Sequence, residues 1–526
     1  MQKITSAHSQ PLFDGLASRR IEQLAASTCP PQSLMQSAGV AVARLCLALA
    51  PHAQRIWVAC GPRNNGGDGF EAAAQLHRSG KDVVITWTGA GKTGAPADAR
   101  AARARAISAG VPFADEPPES FDFCIDALLG IGATLDPELG PNIVREKERS
   151  AHIARWLQVM RRSTKPCLAV DIPSGLHAET GVLADCFAIH YEAIKPRSHS
   201  ATNRFTLSLL TLKPGLFTCD GRDYAGEVWF DDLGVVLPAV EPPIAWMLGA
   251  DGIATPPRLH AHHKGSFGDV AVLGGESSGT QHMAGAVLLA ASAALHAGAG
   301  RVYAALLGDG AVTVNSAQPE IMFCNPQALD LTNQVVVCGC GGGNAIKAVL
   351  PNVLSNATRL VLDADALNAV ALDASLQALL LARAARGFTT VLTPHPLEAA
   401  RLLHTTTAQV QSNRLKAAEE MAARYQAVAV LKGSGSVVAA PGQTSRINST
   451  GNALLATPGT GDVLAGMLGA AIASGIDALN AACHAVFVHG RVADDWLQTH
   501  PGLALTASRL ATAGALWSAQ HHQTDL

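Results

Sequence analysis

The sequence predicts an α/β protein built from two three-layer αβα domains. Three observations carry that prediction. Strand-length apolar runs alternate with helix-length stretches, the rhythm runs through once and then begins again, and a proline cluster separates the two passes. Short apolar strands divided by helices are the mark of a parallel sheet covered on both faces.

In the first pass, residues 56–60 read as a buried strand, 70–79 as a helix and 82–87 as the next strand. A helix over 95–109, a strand over 121–126, a helix over 151–162 and a strand over 167–171 follow. The second pass opens with a strand at 270–273 and an alanine-rich helix at 283–297. Strands follow at 301–306, 334–338, 359–363, 389–393 and 427–431, and helices from 461 to about 520 close the chain. Between the passes lie Pro238, Pro242, Pro243, Pro256 and Pro257. They place the boundary near residue 245, within about ten residues, giving domains over 1–240 and 250–526.

The 526 residues suit two to four domains. With 48% apolar and 15% charged residues, large buried cores are expected and disorder is not. A net charge of −3 gives no case for binding nucleic acid or an anionic membrane. The longest apolar stretches, 283–300 and 463–474, fall short of the roughly 18 apolar residues of a membrane span. The first ten residues lack a charged run followed by an apolar one, so no secretory signal is expected. Eleven cysteines show no CxxC spacing, and only Cys338 and Cys340 lie close together. That usage points to buried thiols in a reducing cytosol, and hence to a cytoplasmic protein.

The most informative segment runs over residues 447–469. At its heart, Gly459-Thr460-Gly461-Asp462 leads straight into an apolar helical pattern. Glycines let backbone come close to a ligand, and a helix start turns its free N–H groups toward it, which makes an anion site. An aspartate there would repel a phosphate unless it has a chemical task. Taking a proton from a hydroxyl while the N–H groups hold a phosphoryl group is such a task, so this is a candidate phosphoryl-transfer site with Asp462 as base. Other segments at predicted strand ends accompany it: 263–268, 339–343, 363–368, 393–398 and 432–436. Each alone reads as a turn or cap; together on one sheet edge they read as an active-site rim. His260-Ala261-His262-His263-Lys264 has no zinc-ligand spacing and is not expected to hold a metal.

In the first pass, Asn64-Asn65-Gly66-Gly67-Asp68-Gly69 stands between a strand and a helix, where open α/β sheets bind ligands. It is not GxGxxG, so it does not read as an ordinary dinucleotide fingerprint. Asp126, before Gly130 and Gly132, and Asp171, before Ser174, end two further strands. Three such segments could build an oxygen-rich pocket for a cation and a polar ligand.

These pieces, with Leu34-Met35-Gln36-Ser37-Ala38-Gly39 and Leu212-Lys213-Pro214-Gly215-Leu216, resemble the epimerase domain of NAD(P)H-hydrate repair enzymes over roughly residues 10–235. The resemblance implies a Rossmann-like fold. It implies potassium held by Asn65, Asp126 and Ser174, hydrated nucleotide contacted by Asn64, Asn65, Gly66, Gly67, Asp68, Gly130 and Gly132, and Asp171 as acid/base. Arg63 stands where that family usually has glycine, and 141–150 and 186–200 look inserted.

From His263 onward the chain resembles the ADP-dependent NAD(P)H-hydrate dehydratases, which implies a ribokinase-like fold. The resemblance carries Asp462 over as the catalytic base. Ala286, Gly341 and His395 would touch the hydrated nicotinamide nucleotide. Lys432, Gly433, Ser434, Gly435, Ser436 and Gly461 would hold ADP, with Mg²⁺ on its phosphates. Leu397 replaces a usual glycine, and 284–286 lacks a usual proline.

The expected function is therefore repair of hydrated NADH and NADPH: epimerisation of the R and S forms, then ADP-dependent dehydration of the S form to give AMP and phosphate. A homo-oligomer is expected by analogy with ribokinase-like proteins. The alternative is a ribokinase-type small-molecule kinase with a non-catalytic N-terminal binding domain. The Asn448–Gly459 pattern speaks against it.

Overall fold

The structure is a computed structural model. It describes residues 1–89, 94–131, 143–184, 203–236, 241–253, 259–278, 281–308 and 313–513, with backbone alone for 143–150, 278 and 281. Gly132, the segment 186–200 and Pro238, Pro256 and Pro257 lie outside the described residues. The chain divides into two compact units, Met1–Ile4 with Pro11–Ile244, and Thr5–Gln10 with Ala245–Leu526. The short N-terminal run counts with the second unit because Asp251 accepts from the Ser9 N–H and hydroxyl at 2.8 and 2.9 Å.

Among the described residues the first unit is built on a sheet of eight strands. Seven are parallel, in the spatial order Phe113–Ala114, Asp82–Trp87, Arg55–Cys60, Phe123–Ala127, Cys167–Val170, Arg204–Leu209 and Glu227–Asp231. Gln2–Lys3 closes one edge antiparallel. Strand Arg55–Cys60 explains the layering. Ile56, Val58 and Cys60 pack into one core with the helices Ser33–Leu49, Asn64–Arg78 and Ala97–Ser108. Trp57 and Ala59 point the other way, onto Ile153, Trp156, Leu157 and Met160 of the helix Ile143–Arg162. The two-residue period of a strand thus puts apolar residues on both faces. Strand order reverses between Arg55–Cys60 and Phe123–Ala127, and such a reversal opens a crevice at the carboxyl ends.

The second unit repeats the scheme. Met322–Phe323, Arg301–Gly308, Asp269–Ser278, Val335–Cys338, Arg359–Leu362, Thr389–Leu392 and Val428–Leu431 lie side by side, all parallel. Val437–Ala439 and Ser445–Ile447 continue antiparallel, and Ala245–Met247 pairs parallel with the last. Val270, Val272, Val335, Val337 and Val361 form one buried face with the helices Ala284–His296, Thr460–Ala473 and Ala478–Thr499. The reversal falls between Asp269–Ser278 and Val335–Cys338. Helix Thr460–Ala473 lies over these two strands because Gly469 has no Cβ: one added there would come within 2.6 Å of Val337 and 3.2 Å of Val270. Small residues at this contact bring the helix start to the crevice.

Several elements differ from the sequence reading. The helix expected over 70–79 begins at Asn64, so the Asn-Gly motif forms its first turns instead of preceding it. The strands Arg204–Leu209, Glu227–Asp231, Val437–Ala439 and Ser445–Ile447 were not expected. Among the described residues no single helix is long and apolar enough to cross a membrane.

Candidate active sites

In the second unit, Gly459 takes φ +88°, a left-handed turn that favours glycine, and starts the helix. The first intrahelical bond is from Val463 N–H to Gly459 O at 3.1 Å, so the N–H groups of Gly461 and Asp462 precede any helical acceptor. The Thr460 hydroxyl turns back onto Leu455 O and Thr457 O, both at 2.9 Å. A Cβ on Gly461 would lie 3.4 Å from Lys432 Nζ and 4.0 Å from Asp363 Oδ2. The open side of Gly461 therefore looks onto that pair.

Lys432 Nζ donates to Asp363 Oδ1 at 2.7 Å and lies 4.0 Å from Glu398 Oε2. Burial pulls the Lys432 ammonium down, but Asp363 and Glu398 outweigh it and hold its pKa above the usual value. Thr393 Oγ1 donates to Asp363 Oδ1 at 2.8 Å. Asp462 faces this group. Burial, then the Asp363 carboxylate, push its pKa up to about 7, against the Cys340 thiol and Lys432. A carboxylate poised there titrates near neutral pH, which suits a general base.

His395 caps the helix Pro396–Leu403. Its Nδ1 accepts from Leu397 N–H at 3.1 Å and Glu398 N–H at 3.4 Å, while Glu398 accepts the His395 N–H at 2.8 Å. This capping box fixes Nε2 as the protonated nitrogen, 3.2 Å from Glu398 Oε1. Burial and the Lys432 charge lower the His395 pKa. Gly341 lies against the helix Ala284–His296: a Cβ on it would fall 3.1 Å from that of Ala286. The glycine loop is pinned by carboxylates. Glu276 accepts from Asn344 and Ala345 N–H at 3.1 and 3.0 Å, and Asp365 from Gly343 N–H at 2.8 Å. Under the 432–436 loop, the buried Arg414 donates to Leu431 O and Lys432 O, each at 3.2 Å, and a Cβ on Gly433 would meet its guanidinium.

The Asn448–Asn452 run is a brace. Asn448 Nδ2 donates to Thr450 O and Val486 O, and Asn452 Nδ2 to Asp494, at 2.9–3.1 Å. His489, on the helix Ala478–Thr499, places Nε2 2.9 Å from Thr460 O. Burial lowers its pKa to about 4, so it is neutral and supports the start of the Asp462 helix. His262 and His263 accept local N–H groups, from Leu259 and Gly265, and act as caps.

In the first unit, Asn65 is buried. Its Nδ2 donates to Val170 O at 2.6 Å, and its Oδ1 has no partner. Ser174 Oγ donates to Asp126 Oδ1 at 2.6 Å and Ser174 N–H to Asp126 Oδ2 at 2.9 Å. Leu129 N–H donates to Ser174 Oγ at 2.8 Å. A Cβ on Gly130 would lie 3.2 Å from Asn65 Nδ2. An orphaned amide oxygen, a carboxylate and a hydroxyl are hard oxygens of the kind that suit an alkali or alkaline-earth cation, and these residues fit one.

Asp171 holds φ +68°. Its Oδ1 accepts from Leu209 N–H at 3.1 Å and from the buried Lys213 ammonium. Lys213 also donates to Leu209 O at 2.9 Å. Burial, with Asp171 and Glu22 near, raises the Asp68 pKa well above the ordinary value. Asn64 Nδ2 reaches Glu22 Oε1 at 3.5 Å. The open sides of the motif glycines face protein: Cβ atoms on Gly66, Gly67 and Gly69 would meet Gly61 O, Met35 and Ala127. Their small size seats the helix on the sheet; the Gly67 N–H already donates to Arg63 O at 3.1 Å, and only that of Gly66, in the first turn, precedes any helical acceptor. Arg63 is exposed at φ −117°, where any residue is at ease. Lys213, Asp363 and Glu398 lie inside segments already singled out, but Glu22 carries no sequence signal.

Residues 270–514 match the NAD(P)H-hydrate dehydratase family, and residues 31–215 the YjeF-related protein N-terminus. A bifunctional NAD(P)H-hydrate repair enzyme from Escherichia coli is 34% identical over 92% of this chain and 87% of its own length. That from Coxiella burnetii is 32% identical over 92% and 94%. An ADP-dependent (S)-NAD(P)H-hydrate dehydratase from Neisseria meningitidis is 42% identical over 49% of this chain and 88% of its own. Among solved structures, an ADP/ATP-dependent NAD(P)H-hydrate dehydratase from Bacillus subtilis is 28% identical, covering 51% of this chain and 94% of that one, with a TM-score of 0.43.

Proposed function

The chain belongs to the bifunctional NAD(P)H-hydrate repair enzymes, and on that premise we propose how its residues divide the work. The protein interconverts the R and S hydrates of NADH and NADPH and dehydrates the S form with ADP, giving AMP and phosphate.

The hydrate carries a hydroxyl on a ring carbon next to nitrogen, and hydroxide is a poor leaving group. Asp462 takes the hydroxyl proton, and the oxygen attacks the β-phosphorus of ADP, which enters as its Mg²⁺ complex. The bond to the bridging oxygen breaks and AMP departs. The Gly461 and Asp462 N–H groups and Lys432 meet the charge that develops on the phosphoryl oxygens. The ring nitrogen's lone pair then expels phosphate, and loss of the neighbouring proton restores dihydronicotinamide. Ala286, Gly341 and His395 hold the hydrated nucleotide, and Lys432 to Ser436 with Gly461 hold ADP. The observation that carries this assignment is the position of Asp462 in the first turn of a helix, with a pKa near 7 and opposite the Lys432–Asp363 pair. Asp462→Asn tests it: ADP-dependent dehydration falls by about a thousandfold or more while epimer exchange persists.

In the first unit we assign Asp171 as the acid/base that moves the proton during epimer exchange, with Lys213 holding its carboxylate. Asn64 to Asp68 and the loop from Gly130 contact the hydrate. Potassium, held by Asn65, Asp126 and Ser174, would supply positive charge beside the substrate. The orphaned Asn65 Oδ1 supports that choice. One stereoisomer reaches the kinase-like step, so exchange in the first unit makes both forms repairable. We place the protein in the cytoplasm, in keeping with its free thiols, and as a homo-oligomer on fold analogy alone.

A further inference from the structure

Cys340 is fully buried in the glycine loop that follows the strand Val335–Cys338. Its Sγ and carboxylate oxygens of Asp462 and Asp363 all lie within 4.8 Å of one another. Its backbone is fixed to the neighbouring strand: Gly275 N–H donates to Cys340 O at 2.9 Å, and Gly341 O accepts from Glu276 N–H at 2.7 Å. A side chain on Gly274 would strike Cys340 O, so the two backbones are in contact there. With its main chain so held at the strand reversal, the thiol has the Asp462 carboxylate as its neighbour.

We infer that Cys340 is a positioning residue for the dehydratase, its S–H donating to Asp462 so that one carboxylate oxygen is held and the other is left for the substrate hydroxyl. The inference builds on the reading of Asp462 as base. Burial, and the Asp462 and Asp363 charges, drive the Cys340 pKa well above its ordinary value, so the thiol keeps its proton and acts as a donor. A neutral donor favours the ionised carboxylate and holds the Asp462 pKa down. It acts against burial and Asp363, in company with Lys432. Asp365 also faces this group, Glu398 and His395 stand behind Lys432, and His489 lies behind Thr460.

The test is the pH profile of kcat/KM for ADP-dependent dehydration in Cys340→Ala and Cys340→Ser. The alanine variant should move the acid limb upward by roughly half to one pH unit. Its rate then drops about three- to tenfold below pH 7 and rejoins the parent well above it. Serine, which restores a donor, should return the limb toward the parent position. Should alanine fail to fold, Cys340→Val fills the space without a donor and serves in its place. An unmoved limb overturns the inference, and so does an equal loss at every pH, which would mark a purely structural cysteine. Failure of the base reading looks different: Asp462→Asn would then keep its dehydratase activity whatever Cys340 does.

Discussion

Lys432 and Asp363 form an ion pair, Nζ to Oδ1 at 2.7 Å, on the open side of Gly461. The pair joins the ends of two strands, Arg359–Leu362 and Val428–Leu431, across the intervening Thr389–Leu392, beside the start of the helix that carries Asp462. Removing one partner of a buried pair leaves the other charge uncompensated, at about 3–5 kcal/mol. Lys432→Met should therefore melt several degrees lower, raise the KM for ADP and reduce kcat by about a hundredfold. Thermal melts and steady-state kinetics read both effects. Unchanged KM and kcat would remove Lys432 from the site.

Asp462 gives a prediction with a definite sign. Its folded pKa, about 7, exceeds the ordinary 3.8, so the folded state binds its proton more tightly than the unfolded chain. The stability this contributes is present in full below about pH 4 and is lost as pH rises through 7. Asparagine has no such loss. Asp462→Asn should melt about 2–4 °C above the parent at pH 8 and level with it near pH 4. Equal melting at pH 8 would contradict the raised pKa.

His489 has the opposite sign. With a folded pKa of about 4 against an ordinary 6.5, it favours the folded state above 6.5, and that contribution is lost as pH falls toward 4. His489→Gln keeps a donor toward Thr460 O without the titration. Its melting temperature should fall less than the parent's between pH 7 and 4.5, as followed by circular dichroism.

Asp171 sits at φ +68°, a conformation that asparagine tolerates better than alanine does. Asp171→Asn keeps that backbone but leaves the buried Lys213 ammonium without its carboxylate, so it should melt lower than the parent, lose epimer exchange by about two orders of magnitude or more, and leave dehydration of the S hydrate intact. Exchange followed by chromatography of the two epimers decides it. Exchange at the parent rate would reduce the first unit to a binding domain.

The potassium assignment separates the two activities. Replacing K⁺ by Li⁺ or choline should slow epimer exchange and leave dehydration of pure S hydrate unaltered. Asn65→Leu should reproduce the loss in full K⁺. An Asn65→Leu enzyme that exchanges normally would assign Asn65 to the Val170 hydrogen bond alone.

The two sheets were legible because their strands are continuous apolar runs, and the period-2 burial of Ile56 to Cys60 follows from that pattern. The helix start at Gly459 was legible because two glycines run straight into an apolar helical pattern. The roles of single residues within motifs were less so. The glycines at 66, 67 and 69 look like ligand-facing residues in sequence, yet their missing side chains accommodate Gly61, Met35 and Ala127. Asn448 opens a pattern that speaks for the family, and its side chain braces the loop. Lys213 and Cys340 matter through partners 42 and 122 residues away in the chain, Asp171 and Asp462, and no local pattern records such pairings. The short antiparallel strands Val437–Ala439 and Ser445–Ile447 escape because no helix separates them from each other or from Val428–Leu431.

Repair of both hydrates by one chain is tested most directly by absorbance at about 340 nm, which reports restored dihydronicotinamide. The purified protein would receive an R/S mixture of NADH hydrate with ADP, Mg²⁺ and K⁺. Recovery of the whole mixture, beyond its S fraction, is the predicted result. Recovery that stops at the S fraction would contradict the epimerase assignment, and no recovery with ADP would contradict the account as a whole.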